Sequence, residues 1–180
     1  MLLQNQYAGD GGYLDAIGSV TQPPGATFDV TTNQKPNSRG ADTSVWKIIS
    51  AVGKQPGTPV TSGDVVYLMN EYGVGTYLDA NGSSNKPGAK YDVSSTRTKD
   101  RAPGSGRWHI FGKTSSHSDG LIRANDLVQL LNTYNWDGAN GGFLDANGTA
   151  GQPGAKHDVT TSHYVERGPG TSSWKVLPTS

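Results

Sequence analysis

The sequence predicts an all-β domain of about twelve short strands closed into a threefold barrel. Three observations predict it. One eight-residue phrase occurs three times, as GGYLDAIG at 11–18, GTYLDANG at 75–82 and GGFLDANG at 141–148. A tryptophan follows each phrase, at Trp46, Trp108 and Trp174, so the copies are spaced 62 and 66 residues apart. No segment sustains a 3.6-residue apolar period with helix caps, so little helix is expected.

Each copy reads as four strands. In the middle copy VVYLMNEY alternates and sets Val66, Leu68, Asn70 and Tyr72 on one face. GTYLDA follows and ends at Asn81-Gly82, a turn signal. SSNKPGA is a loop, KYDVSS a third strand, TRTKDRAPGSG a loop and RWHIFG the fourth strand. The other copies follow the same order. The chain is therefore expected to be one domain, residues 1–180, with repeats at approximately 1–60, 61–122 and 123–180. Propellers usually have at least four blades, and an open stack needs caps that neither end shows. Closure lets the first and last strands pair and leaves no free edge.

Composition narrows the function classes. Leu, Ile, Val and Phe make up only 32 of 180 residues, but net charge is zero, so disorder does not follow. The 15 basic and 15 acidic residues are balanced, which gives no footprint for nucleic acid or anionic lipid. No apolar run approaches the ~20 residues of a membrane-spanning helix, so no membrane insertion is expected. There is no cysteine, which excludes disulfides, thiolate metal sites and a thiol nucleophile. MLLQNQY is too short and polar for a signal peptide, which leaves the location open between the cytoplasm and secretion by a non-classical route. The Asp-x-Asn-Gly turns at 79–82 and 145–148 lack the oxygen set and closing Glu of a calcium loop, and the four histidines show no ligand spacing. No metal or cofactor is expected. No nucleophile elbow, P-loop or dinucleotide fingerprint occurs, so no enzyme is expected.

Leu68-x-Asn70, the phrase Gly75-Thr-Tyr-Leu-Asp79-Ala-Asn-Gly82, a third strand and a Trp followed by alternating apolar residues together resemble the ricin-B-type (R-type) lectin and carbohydrate-binding module family. The resemblance covers the whole chain. It implies a β-trefoil with three pseudo-symmetric four-stranded repeats, and up to three glycan sites, one per repeat. The family's sugar-hydroxyl acceptor corresponds to Asp15, Asp79 and Asp145. Its aromatic platform falls near Thr31, Ser94 and Thr160, which are not aromatic, and its polar partner before the closing Trp falls at Thr43, Ser105 and Thr171.

Each candidate has a functional and a structural reading. A carboxylate accepts two strong bonds from adjacent sugar hydroxyls, yet Asp at a strand end also anchors a turn. Asp29 with Arg39, Asp92 with Arg101 and Asp158 with Arg167 are expected to pair between third and fourth strands and tie the long loops. The tryptophans of the fourth strands are expected in the core, and Asn5, Asn70 and Asn132 are expected buried on loop backbone. Trp136 recurs in no other repeat. With His157, His163 and Tyr164, which are also special to the third repeat, it marks that repeat as the best glycan site, with Asp158 and Arg167 among its binding residues, because aromatic faces bind the C–H side of sugar rings. The expected partners are glycans of glycoproteins, glycolipids or polysaccharides. The alternative readings are a protein-binding trefoil (inhibitor, ligand or scaffold) and the targeting module of a toxin or glycosidase.

Overall fold

The structure, a computed structural model, describes residues 1–20, 23–135 and 141–179. The strands are β1 (Leu2–Asn5), β2 (Gly12–Ser19), β3 (Ala26–Asn33), β4 (Trp46–Ser50), β5 (Asp64–Asn70), β6 (Thr76–Ser83), β7 (Ala89–Thr96), β8 (Trp108–Thr114), β9 (Leu127–Asn132), β10 (Gly142–Thr149), β11 (Ala155–Ser162) and β12 (Trp174–Leu177). One short 3-10 turn, Tyr7–Gly9, lies among them. The all-β character and the closure match the sequence reading.

The β-trefoil of three four-stranded repeats does not. The architecture is one closed ten-strand antiparallel barrel within a set of twelve strands. The sequence repeats are not separate structural units, because the fourth strand of each pairs with the first strand of the next. Trp46 faces Asn70 across β4 and β5, Trp108 faces Asn132 across β8 and β9, and Asn5 faces Trp174 across β1 and β12. The third strands β3, β7 and β11 also pair with one another. The repeats are therefore joined by shared ladders, while β2–β3, β6–β7 and β10–β11 pair within a repeat. The physical cause is that a repeat of this length cannot cover its own apolar face, so neighbours must interleave.

The core is one cluster that holds Leu3, Leu14, Leu68, Leu78, Ile110, Leu130 and Leu144 around Trp46, Trp108 and Trp174, all wholly buried. Each indole also makes a fixed hydrogen bond. Trp46 Nε1 donates to Leu14 O at 2.9 Å, Trp108 Nε1 to Leu78 O at 3.0 Å and Trp174 Nε1 to Leu144 O at 2.9 Å. The expected core role of the tryptophans is thus seen. Asn5, Asn70 and Asn132 are fully buried, and their amides donate to Thr171 O, Thr43 O and Ser105 O. Gly11 and Gly141 pack on two of these amides: a Cβ at either would lie 2.2 Å from Asn5 Oδ1 or Asn132 Oδ1.

Aromatic pairs join the repeats at the surface. Phe28 meets Tyr72, Tyr91 meets Tyr134 and His157 meets Tyr7, each edge to face with ring centres 5.2–5.4 Å apart. Each pair sets a third-strand ring of one repeat against the Asn-x-Tyr ring of the next.

Candidate functional site

The second-strand aspartates lie beneath the surface. Asp15, Asp79 and Asp145 are 0% exposed. Each is held by an arginine and a serine from the loop before the fourth strand. Arg39 Nη2 lies 2.6 Å from Asp15 Oδ2 and Ser44 Oγ donates to Oδ1 at 2.9 Å. Arg101 Nε and Ser105 Oγ bind Asp79 at 3.1 and 2.7 Å. Arg167 Nε and Ser172 Oγ bind Asp145 at 2.9 and 3.0 Å. Burial pushes the Asp79 carboxyl up, against the lowering pull of Ser105 and Arg101. The group of each pair that meets solvent is the arginine.

The expected partners of those arginines are corrected by this geometry. Arg39, Arg101 and Arg167 bond the second-strand carboxylates, not Asp29, Asp92 and Asp158. Chain spacing could not reveal this, because β2 and β3 run side by side and set both aspartates near one loop. The third-strand aspartates gather elsewhere. Asp29 faces Ser94, Asp92 faces Thr160 and Asp158 faces Thr31, so the three stand in cyclic order where β3, β7 and β11 meet. They line a cavity of ≈ 180 Å³ with Lys86. Lys86 bonds Asp158, and Gln152 bonds Asp29. Desolvation raises the Asp29 pKa and lowers that of Lys86. Among the described residues no group of three His, Asp or Glu side chains could hold a metal ion.

The third repeat differs from the others at one turn of its neighbour, Lys86–Gly88. Arg167 and Tyr164 both pack on Gly88: a Cβ there would lie 2.7 Å from Arg167 Cδ and 3.6 Å from Tyr164 Cε2. His163 N donates to Gly88 O at 3.3 Å, and Lys86 reaches Asp158. Four expected site residues, Asp158, His163, Tyr164 and Arg167, thus surround one turn, with Asp145 buried behind Arg167. Tyr164 is 58% exposed. Its places in the other repeats hold Lys35 and Thr98. Asp15 and Asp79 belong to the other repeats, and Trp136 lies outside the described residues. Sequence reading missed Lys86 and Gly88, although the repeated Pro-Gly turn that carries them was visible. At the first repeat a shallow groove of ≈ 500 Å³ is lined by Ile17, Arg39 and Gln152, with no aromatic ring.

No protein-family model matches the chain, and no curated protein matches it. Solved structures do. An SDF2-like protein from Arabidopsis thaliana aligns with TM-score 0.71 and 16% identity, over 98% of this chain and 93% of that one. A Caenorhabditis elegans protein of unknown function aligns with TM-score 0.70 and 18% identity, over 97% and 90%. The Saccharomyces cerevisiae protein O-mannosyltransferase Pmt1-Pmt2 complex bound to the sugar donor aligns with TM-score 0.68 and 16% identity, over 98% of this chain and 24% of that one. Identities this low establish a shared fold.

These matches overturn the resemblance to ricin-B-type lectins. The architecture is shared with an SDF2-like protein, and no family model supports the lectin family. The residues that carried the resemblance explain the error. Leu14, Leu78 and Leu144 receive the indole bonds, the asparagines tie loops, and the aspartates are buried ion-pair partners. The motif records how this hairpin is held together, and such scaffolding does not define a ligand. No helix among the described residues is long and apolar enough to cross a membrane.

Proposed function

We propose that this chain is a glycan-binding module whose site is the surface around the Lys86–Gly88 turn. One observation carries the reading: Tyr164, 58% exposed, lies beside Arg167 on the same glycine. An exposed ring beside a fixed guanidinium offers a sugar what it needs, an apolar platform for its C–H face and donors for its hydroxyls. Arg167 is held in place from behind by Asp145 and by its bond to Ala146 O at 2.9 Å. The Arg167 side chain remains 27% exposed. His163 stands at the rim as a further polar contact, and Asp158 orients Lys86 beneath the turn.

This reading changes the role expected for the aspartates. Asp145 positions Arg167, and the sugar meets the arginine. The reading includes no catalytic step. The fold shared with part of a protein O-mannosyltransferase complex bound to a sugar donor supports a sugar-related role at the level of architecture. One shallow site of this size would bind a single glycan weakly, so dense glycan surfaces are the expected target.

A glycan array tests it, with wild type beside Tyr164→Ala and Thr98→Ala, the change at the corresponding place in the second repeat. Wild type and Thr98→Ala are expected to retain one defined glycan class, and Tyr164→Ala to lose it. Absence of any wild-type binding across a broad array, or full retention by Tyr164→Ala, would defeat the proposal.

A further inference from the structure

The second repeat carries a cluster of cations and phenols on its outer face that the other repeats lack. Tyr67 of β5 and Tyr77 of β6 meet edge to face, with ring centres 6.4 Å apart. The Lys99 ammonium stands 5.3 Å from the centre of the Tyr67 ring and 5.8 Å from that of Tyr77, within the range of cation–π attraction. Arg107 Nε donates to the hydroxyl of the same Tyr67 at 3.2 Å and lies 2.9 Å from Asp100 Oδ2. Counted from the recurring arginine and tryptophan, the places of Lys99 hold Asn37 and Val165, and those of Arg107 hold Val45 and Ser173. In the third repeat a cation does arrive, because Lys113 reaches Ser173, but Glu166 neutralises it there.

Both cations are held in place by the protein itself. Gly106 N donates to Asp100 Oδ1 at 3.2 Å, and a Cβ at Gly106 would collide with Lys99 O. The segment that carries Lys99 is thus folded onto the one that carries Arg107. Thr96 Oγ1 donates to Thr98 O at 2.8 Å and fixes the entry to this loop. Donors are nevertheless left over. Lys99 is exposed and forms no ion pair among the described residues. The Arg107 side chain is 48% exposed, and its Nη1 and Nη2 make no hydrogen bond among the described residues.

We propose that this cluster binds a sulfate or phosphate group, as the free ion or on a small ester. The two cations meet on one phenol, Lys99 over its ring and Arg107 at its hydroxyl, so they flank one spot on the surface. The Nη1 and Nη2 edge of Arg107 offers two parallel donors to two oxygens of the group. The Lys99 ammonium takes a third oxygen as a point charge. A carboxylate has only two oxygens, and the arginine fork would occupy both, so the donor set fits a sulfate or phosphate better. Asp100 lies against Nε, where it fixes the guanidinium and leaves the outer edge open. The half-buried Tyr77 ring borders the same spot and supports the apolar part of an ester. Because the loop is already folded, little of the attraction is lost to ordering it. The site lies in another repeat from Tyr164 and does not depend on the glycan reading.

The test is an NMR titration of the 180-residue chain, at constant ionic strength, with sodium sulfate, glucose 6-sulfate and glucose. Both sulfates are expected to shift the amides of Lys99, Gly106 and Arg107, and glucose is expected to leave them in place. Lys99→Gln and Arg107→Gln should each weaken sulfate binding about ten-fold. Arg97→Gln removes an equal charge from an exposed position of the same loop and should leave binding unchanged. No shift of these amides by either sulfate, equal shifts by glucose, or unchanged binding in both Lys99→Gln and Arg107→Gln would each overturn the proposal. An equal loss in Arg97→Gln would reduce the effect to diffuse charge attraction and overturn it too. Tighter binding of the ester than of the ion supports the site and assigns it to an ester, and equal binding supports the site and assigns it to the ion. Tyr164→Ala is expected to bind sulfate like wild type, so this proposal and the glycan reading fail separately.

Discussion

Asp15 and Arg39 form the shortest of three equivalent ion pairs, with Nη2 2.6 Å from Oδ2 and the carboxylate wholly buried. The same nitrogen donates to Thr31 Oγ1 at 2.7 Å, so one guanidinium ties β2, β3 and the loop before β4. Arg39 also lies over Gly154, as Arg101 lies over Gly25 and Arg167 over Gly88. The arginine of each repeat thus clamps the Pro-Gly turn of the preceding one around the ring.

Replacing the buried partner should destabilise the protein, by amounts set by arginine exposure. The Arg39 side chain is 8% exposed, and those of Arg101 and Arg167 are 28% and 27% exposed. Asp15→Ala strands a nearly dry cation and is expected to cost ~3–5 kcal/mol. Asp79→Ala and Asp145→Ala should cost less, because water can reach their arginines. Urea unfolding of the three variants checks the order, and equal losses would contradict it.

Gly88→Ala should damage both fold and site. Gly88 has φ +72° and its new Cβ would collide with Arg167 Cδ. Backbone strain alone is expected to cost ~1 kcal/mol. Thermal unfolding reads that loss, and the array reads displacement of Arg167 and Tyr164 as weakened glycan binding. Gly148→Ala, also at positive φ but with open space around it, separates strain from collision.

The three indole bonds should be worth similar amounts. Phe at Trp46, Trp108 or Trp174 leaves the carbonyl of Leu14, Leu78 or Leu144 without its buried donor. An unsatisfied buried acceptor costs ~1–3 kcal/mol, and the smaller ring adds a cavity loss. Chemical unfolding of the three variants is expected to give losses that agree closely.

Acidic groups of opposite shift should separate on titration. Burial opposes ionisation of Glu166, but hydrogen bonds from Lys113, Ser172 N and Ser173 hold its pKa below the usual value. Its stabilising contribution is present above the unfolded Glu pKa of ~4.3 and is lost as pH falls through the depressed folded value. Asp79 has the opposite sign, because burial raises it. Its contribution is present below the unfolded Asp pKa of ~3.9 and is lost as pH rises through the raised folded value. Urea unfolding from strongly acid to neutral pH should show Glu166→Gln converging on wild type at the acid end. A constant gap across the range would contradict the assignment.

Much of the scaffold was legible in the sequence because its signals are local. Leu68, Asn70 and the fourth-strand tryptophans alternate along strands, and alternation reports burial directly. The Asn-Gly and Pro-Gly turns mark where strands stop. Beyond the expected meeting of the first and last strands, the pairing of strands between repeats was not legible, since any repeat's fourth strand shows the same pattern whichever neighbour it meets. The third-repeat cluster was half visible: His163, Tyr164 and Arg167 stood out as unrepeated or aligned residues, but Lys86 and Gly88 lie over seventy residues away.

The amino-acid sequence by itself determined an all-β chain, its three copies, its closure and its buried indoles and amides. These follow from periodicity and turn chemistry, which act over a few residues. Only the tertiary structure decided the rest. It paired Arg39, Arg101 and Arg167 with the second-strand aspartates, because ion pairs form by distance in space. It replaced three self-contained units with one shared barrel, because each repeat needs its neighbours to cover its apolar face. It also gathered Asp158, His163, Tyr164 and Arg167 on a turn of another repeat.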